Sequence, residues 1–456
     1  MKFCRLILAS LMLVFYNGVV THGIQTHHLA EKYMTGYNWL SASFREGRLY
    51  VAAFDKSQLP GDLLDVKKNS HWIGSHHFED LSIYNGKLYA YFGIAPVLTL
   101  YLPYQVATRG GMMSDEMAAL IFGYGGFLWS FALLASLRRR YYPDSTGWTE
   151  LAAAAVLGAC NLMPYMLACT KIYEVAVASG FFFTSAALYF LFGGELGRLS
   201  GKRAAAAGLM LGLAVGSRPH LLIPALFLAA LAFRQAPRRS FTMLAAPLAF
   251  CAAGLALYNY ARFENPFEFG VKYQLNFNNQ NMGAKYWGLS NWVTSLWSFL
   301  FHPPHIDMRT YPYLKLNSDL PSFVYRPPGS LFGYEPFPGF LTSTPFILVG
   351  ALLSFPAAAR SLLARATGRM SDAPKRLPRE FWGILQTGGV TVALLCLFHF
   401  VAPRYAGDFT VYFLLAGGLL WLHADGPGRA SVRWLGASFA VLSILIHAAY
   451  VVGVKC

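Results

Sequence analysis

The chain has 456 residues, 55% hydrophobic and 13% charged, with a net charge of +15 and a mean hydropathy of +0.39. A soluble domain carries about a quarter charged residues, so composition excludes an ordinary soluble fold. The positive balance then reads as basic cytoplasmic loops that hold orientation, not as a nucleic-acid surface.

Taken in chain order, Lys2 and Arg5 precede the apolar run 6–21. No small-residue cleavage site of the A-x-A kind follows, so this run reads as a retained signal anchor with its N-terminus inside. Further runs long enough to cross about 30 Å of hydrocarbon fall at 117–137, 148–167, 173–193, 241–260, 338–358, 381–401, 408–424 and 434–452. The run 204–233 is interrupted by Gly216-Ser217-Arg218-Pro219 and has basic residues beyond both ends. Two short helices forming a hairpin fit it better than one kinked span. The run 92–107 is short and holds Pro96 and Pro103, so it is expected to lie on the membrane surface.

With that choice, nineteen basic residues of the N-terminus and short loops fall inside. Only Lys171, Arg218, Arg404 and Lys455 fall in the short outer loops and the tail. The expected fold is an all-α polytopic membrane protein with about eleven transmembrane helices. Its two large extracytoplasmic loops carry juxtamembrane helices. The divisions are 1–21, the first transmembrane helix; 22–116, the first outer loop with an interfacial helix near 92–107; and 117–260, helices 2–7. The second outer loop follows at 261–337, then helices 8–11 at 338–456, which put the C-terminus outside. Six cysteines lie mostly in apolar runs and read as small buried hydrophobes.

No phosphate-binding Gly-rich loop, HExxH or GxSxG occurs, which argues against ATP-driven pumping and against intramembrane metalloprotease or hydrolase chemistry. Charged residues at the outer face remain. Glu79 and Asp80 stand just before the interfacial segment, where a carboxylate could deprotonate an acceptor hydroxyl as general base. The plainer alternative is a solvated acid, or an Asp that closes a turn with Asn85-Gly86. Glu31, Asp62 and Asp65 are weaker rivals. Arg218, at the tip between two short helices, should stop short of the surface in a recess. Such a guanidinium faces a cavity or a partner; a lipid-linked phosphate suits it, and so does a structural carboxylate or a snorkelling path to the interface.

Lys171 with Glu174, and Arg404-Tyr405 with Asp408, are either helix-end ion pairs or parts of a positively charged ring with Arg218. Aromatic and amide residues in both outer loops suit sugar stacking; Lys87, Tyr89 and Tyr273 are candidates for substrate binding. His302 and His305 lack a third ligand at convincing spacing. The residues therefore assign no metal and no cofactor, and leave assistance by a divalent ion open.

Three stretches, YNGKLYAYFGIAPVLTLYLPYQVA, GLMLGLAVGSRPHLLIPALFLAALAF and PRYAGDFTVYFLLAG, together with the overall layout, resemble the polytopic glycosyltransferases of the GT-C class. That class includes the protein O-mannosyltransferases and the aminoarabinose transferases of lipid A. The resemblance implies a sugar transferase that uses a polyprenyl-phosphate-linked sugar outside the cytoplasm, in a bacterial inner membrane. It implies Asp80 or Glu79 as base and Arg218 as a ligand of the donor phosphate. Arg404 and Lys171, from the same outer charges, are further candidates for that phosphate, and Tyr405 for the substrate. The sugar and the acceptor, whether lipid, glycan or protein, stay open. The rival class is a transporter or flippase of a lipid-linked or amphipathic anion, which should show repeat symmetry and charges near mid-membrane.

Overall fold

The computed structural model describes residues 1–27, 36–53, 81–194, 199–235, 237–275, 287–309, 311–315, 333–335, 338–348, 350–352, 377–398 and 400–453. Asp80, Glu79, Glu31, Asp62 and Asp65 lie outside the described residues, as does Cys456.

Helices dominate the chain. Six are long and apolar enough to cross a membrane: Lys2–Gly23, Asp115–Tyr141, Gly147–Ala168, Ile172–Phe192, Arg238–Phe263 and Ala430–Gly453. Shorter apolar helices cover Val97–Ala107, Pro219–Arg234 and Thr410–Ala424. At 1.5 Å per residue the first of these extends only about 17 Å. Many large apolar side chains, among them Leu6, Leu11, Phe250 and Leu257, face outward. An outward apolar surface fits a membrane protein, whose solvent along the helices is lipid.

Charge is sorted to the helix ends. Arg5 donates to the buried carboxylate of Glu150 through Nε at 2.6 Å and Nη2 at 2.8 Å, and Arg138 reaches the same group at 3.3 Å. Arg140 (3.2 Å) and the Tyr141 hydroxyl (2.7 Å) both donate to Glu380. Arg433 donates to Asp425 at 3.1 Å, opposite the Thr146 N–H at 2.8 Å and the Thr149 hydroxyl at 2.7 Å. Arg203 donates to the carbonyl of Phe190 at 3.1 Å. These contacts tie the starts of helices Lys2–His27, Gly147–Ala159, Gly201–Ser217, Arg379–Leu395 and Ala430–Gly453 to the ends of Asp115–Tyr141, Ile172–Phe192 and Thr410–Ala424. These basic residues therefore gather at one end of the bundle, held by the partners named.

The 204–233 run breaks at the expected place. Helix Gly201–Ser217 stops, Arg218 is extended at φ −144° and ψ 105°, and a single turn, Pro219–Leu221, leads into Leu222–Gln235. Pro219 causes the break, because it lacks an N–H and disfavours helical φ/ψ in the residue before it. Gly208 lets this helix press against Arg238–Phe263: a Cβ there would sit 2.0 Å from the carbonyl oxygen of Leu244.

Two expectations need correcting. Short strands occur beside the helices, so the chain is mostly rather than purely helical: Leu81–Tyr84 and Lys87–Ala90 form a hairpin, and Ala52–Ala53 adds a third strand. Its two-residue turn is Asn85-Gly86, both at positive φ, the conformation that a tight hairpin of this twist needs. The reading of every cysteine as a small hydrophobe also fails, because Cys169 is disulfide-bonded. Cys4, Cys160, Cys251 and Cys396 are free.

Two predictions follow from the charged end. Glu150→Gln strands two guanidinium groups, and should lower unfolding stability in detergent by about 3 kcal/mol; no change would remove the anchoring role. Burial tends to raise the Asp425 carboxyl, but the hydrogen bonds from Thr146, Thr149 and Arg433 more than offset it and hold it below the usual carboxylate range. A depressed carboxyl stabilises above its ordinary pKa of about 4 and loses that stabilisation as pH falls through the lower folded value. Asp425→Asn should thus narrow the stability gap between neutral and acid pH, as read by thermal unfolding across pH 3–7.

Candidate functional site

Opposite the basic end, a second polar group assembles around the helix break. Arg218 Nη2 lies 3.1 Å from Asp408 Oδ2, and both side chains are buried, 9% and 1% exposed. His220 Nε2 approaches the same oxygen at 2.9 Å. The Arg218 guanidinium also sits over the Tyr405 ring, 5.4 Å from its centroid. The sequence placed Asp408 with its neighbour Arg404; the fold gives it to Arg218 instead, because the turn Pro403–Ala406 points the two residues to different partners.

Arg404 finds Glu335. Its Nη1 contacts both carboxylate oxygens at 2.9 Å. Glu335 is delivered by strand Gly333–Tyr334, which pairs in parallel with Phe400–Val401. The Arg404 guanidinium is also wrapped by the rings of Tyr173 and Tyr405, with centroids at 4.9 and 5.6 Å. Burial raises the Tyr405 phenol, and the two arginines beside it pull the other way without cancelling the effect. Lys171 meets Glu174 through its backbone: its N–H donates to the Glu174 carboxylate at 2.9 Å at the start of helix Ile172–Phe192.

The first loop closes this group from above. Gly93 packs so tightly against the end of helix Gly201–Ser217 that a Cβ would lie 2.1 Å from the Ser217 carbonyl oxygen. That contact sets Phe92 against Tyr173 (5.2 Å between centroids) and against Tyr37 (6.0 Å). Tyr37, on helix Gly36–Arg45, is fully buried and lies 5.3 Å from the Tyr101 ring. The Tyr101 hydroxyl in turn donates to Asp115 at 2.5 Å. Asp115 and Glu116 open helix Asp115–Tyr141, where Ser114 caps the Met117 N–H and the helix dipole favours acids. Burial raises the Tyr37 phenol first of all; Asp115 adds to the rise and Arg218 opposes it. Tyr37 therefore feels both an anion and a cation.

Three buried polar atoms in this neighbourhood have no hydrogen-bond partner among the described residues: Tyr37 Oη, Arg218 Nε and Asp408 Oδ1. Buried polar atoms are normally satisfied, and leaving one unmet costs about 1–3 kcal/mol. Unpaired donors and acceptors beside a guanidinium are what a polar, anionic ligand would meet.

The remaining candidates form a different cluster. Tyr273 stacks on Phe263 and lies 4.7 Å from Tyr84; Tyr89 lies 5.3 Å from Phe263. Lys87 Nζ is 4.9 Å from the centroid of Tyr50. Here the hairpin docks on the end of helix Arg238–Phe263, with Arg262 donating to the Ala90 carbonyl at 2.9 Å. The fold thus brings Arg218, Arg404 and Tyr405 together, and groups Lys87, Tyr89 and Tyr273 around the hairpin. Sequence reasoning missed Asp115, Tyr37 and Tyr101. The Ser114-Asp115-Glu116 helix start was the available signal for the first of these. His302 is buried and His305 is exposed on a short strand, and among the described residues no group of three His, Cys, Asp or Glu could hold a metal.

No protein-family model matches the chain, and no curated protein matches it. Among solved structures, the oligosaccharyltransferase of Archaeoglobus fulgidus in its apo form is similar over 96% of this chain, with 11% identity and a TM-score of 0.45. The chain spans 56% of the length of that protein. A likeness so distant leaves function to be argued from this chain's own residues.

Removing an unmet buried hydroxyl should relieve the molecule. Tyr37→Phe is expected to raise stability by about 1 kcal/mol, read by thermal unfolding without ligand. A fall would mean that the hydroxyl has a structural partner.

Proposed function

We propose that the chain is an integral membrane glycosyltransferase that moves a sugar from a polyprenyl-phosphate donor to an acceptor on the extracytoplasmic face. The observation that carries this reading is the buried guanidinium of Arg218 at a helix break, with an unpartnered Nε, beside Arg404 and Tyr405. An arginine forks two hydrogen bonds onto phosphate. The resemblance of the layout to GT-C enzymes supports the same reading.

In this proposal eleven passes alternate between the two ends, with the basic end in the cytoplasm and the Arg218 end outside. A disulfide at Cys169, two residues from Lys171, supports that orientation, because such bonds persist in oxidising compartments. A bacterial inner membrane is the proposed location.

The chemistry is a displacement. A first-loop carboxylate takes the proton of the acceptor hydroxyl, and the hydroxyl oxygen attacks the anomeric carbon. The bond from that carbon to the phosphate oxygen breaks, and its electron pair leaves with the lipid phosphate. Arg218, Arg404 and Lys171 offset the developing charge. Asp80 or Glu79 is the base proposed from the sequence; Asp115 is the described first-loop acid grouped with Tyr37 and Tyr101. Tyr405 lies against the donor, and Lys87, Tyr89 and Tyr273 are proposed to guide the acceptor.

Turnover of a polyprenyl-phosphate sugar by purified protein tests the proposal. Arg218→Ala should lower transfer by about 10²-fold or more. Asp80→Asn and Asp115→Asn distinguish the base, since only its loss should abolish the rate at saturating donor. Unchanged transfer in all three variants would remove the assignment. Lipid movement across sealed vesicles without sugar transfer would fit a transporter instead.

A further inference from the structure

Arg218 Nη2 lies 3.1 Å from Asp408 Oδ2. The facing atoms, Nε and Oδ1, are buried and unpartnered, so the pair does not close into the two-bond fork that guanidinium and carboxylate favour. The bonded oxygen is shared with His220 Nε2. Asp408 therefore already has a second hydrogen-bond partner, the His220 ring, and stands in the turn before helix Thr410–Ala424.

We infer that Asp408 is a resident counter-ion, displaced from Arg218 by the phosphate of the lipid donor and held by His220 while the phosphate is bound. This rests on the phosphate-binding role proposed for Arg218 and assigns a residue that the role itself does not require.

The physics asks for such a partner. A guanidinium buried at this depth needs an anion in every state of the cycle, and an unpaired one is strongly unfavourable. A carboxylate fills that need between turnovers. Phosphate brings more oxygens and can occupy Nε as well as Nη2, so it competes well for the arginine. His220 is two residues from Arg218 on the Pro219–Leu221 turn, which fixes it close by. The carboxylate can then change partner by side-chain rotation alone.

A consequence concerns release. The donor is a phosphodiester with one negative charge, whereas the leaving lipid monophosphate carries up to two. Arg218 alone would hold the product more tightly than the donor. Asp408 returning to Arg218 opposes that, so donor and product affinities are both differences between phosphate and carboxylate binding.

Farnesyl phosphate, with farnesol as the neutral control, probes this in full-length protein held in detergent. Asp408→Asn removes the competing charge and should bind farnesyl phosphate about tenfold more tightly than the unaltered protein. His220→Ala leaves the carboxylate wholly to Arg218 and should weaken binding about threefold or more. Arg218→Ala should abolish the preference over farnesol. Unaltered protein that binds both probes equally overturns the donor-phosphate reading and this inference with it. Preference for farnesyl phosphate with no tightening in Asp408→Asn overturns the inference alone. If Asp408→Asn does not fold, His220→Ala decides it, and unchanged or tighter binding there overturns it.

Discussion

An ionised side chain cannot rest in hydrocarbon without a partner, and this constraint organises the whole molecule. Glu150 is buried between Arg5 and Arg138, Asp425 between Arg433 and the start of helix Gly147–Ala159, and Glu380 against Arg140. Arg5 with Glu150 and Arg140 with Glu380 join helices 145 and 240 residues apart, and the other pairs join consecutive helices at the same end of the bundle. At the opposite end the same rule gathers Arg218, Asp408, His220, Arg404 and Glu335. The apolar spans between need no specific contact of that strength, because lipid serves them as well as protein does.

The buried carboxylates of the two ends differ in how completely they are satisfied. At the basic end Glu150 and Asp425 each accept several hydrogen bonds from arginine, hydroxyl or backbone donors. At the other end Tyr37, Arg218 and Asp408 each keep a buried atom without a partner. A set of groups that is complete stabilises; one that is incomplete is prepared for something else to complete it. That contrast, more than any motif, separates the scaffold from the candidate site.

Much of the layout could be read from residues alone, and the reasons are local. Pro219 dictates a break whatever surrounds it, and Asn85-Gly86 carries a hairpin turn in two residues. The basic clusters mark helix ends by the side of the membrane they choose. What could not be read depends on contacts distant in sequence. Arg404 pairs with a carboxylate 69 residues away, not with Asp408 four positions on. Tyr37 reaches the site only because Gly93 seats the first loop on the end of helix Gly201–Ser217. The Cys169 disulfide was illegible for the same reason, since the local sequence does not say which distant thiol the fold brings to it.

The sorting of charge to two ends on opposite faces of a membrane is the claim on which the rest stands, and sided labelling tests it most directly. Lys171→Cys and Arg139→Cys, each exposed, can be introduced singly and treated in intact cells with a membrane-impermeant maleimide. Position 171 should react from outside, and position 139 only after permeabilisation. Equal reaction at both positions, or the reverse order, would contradict the account.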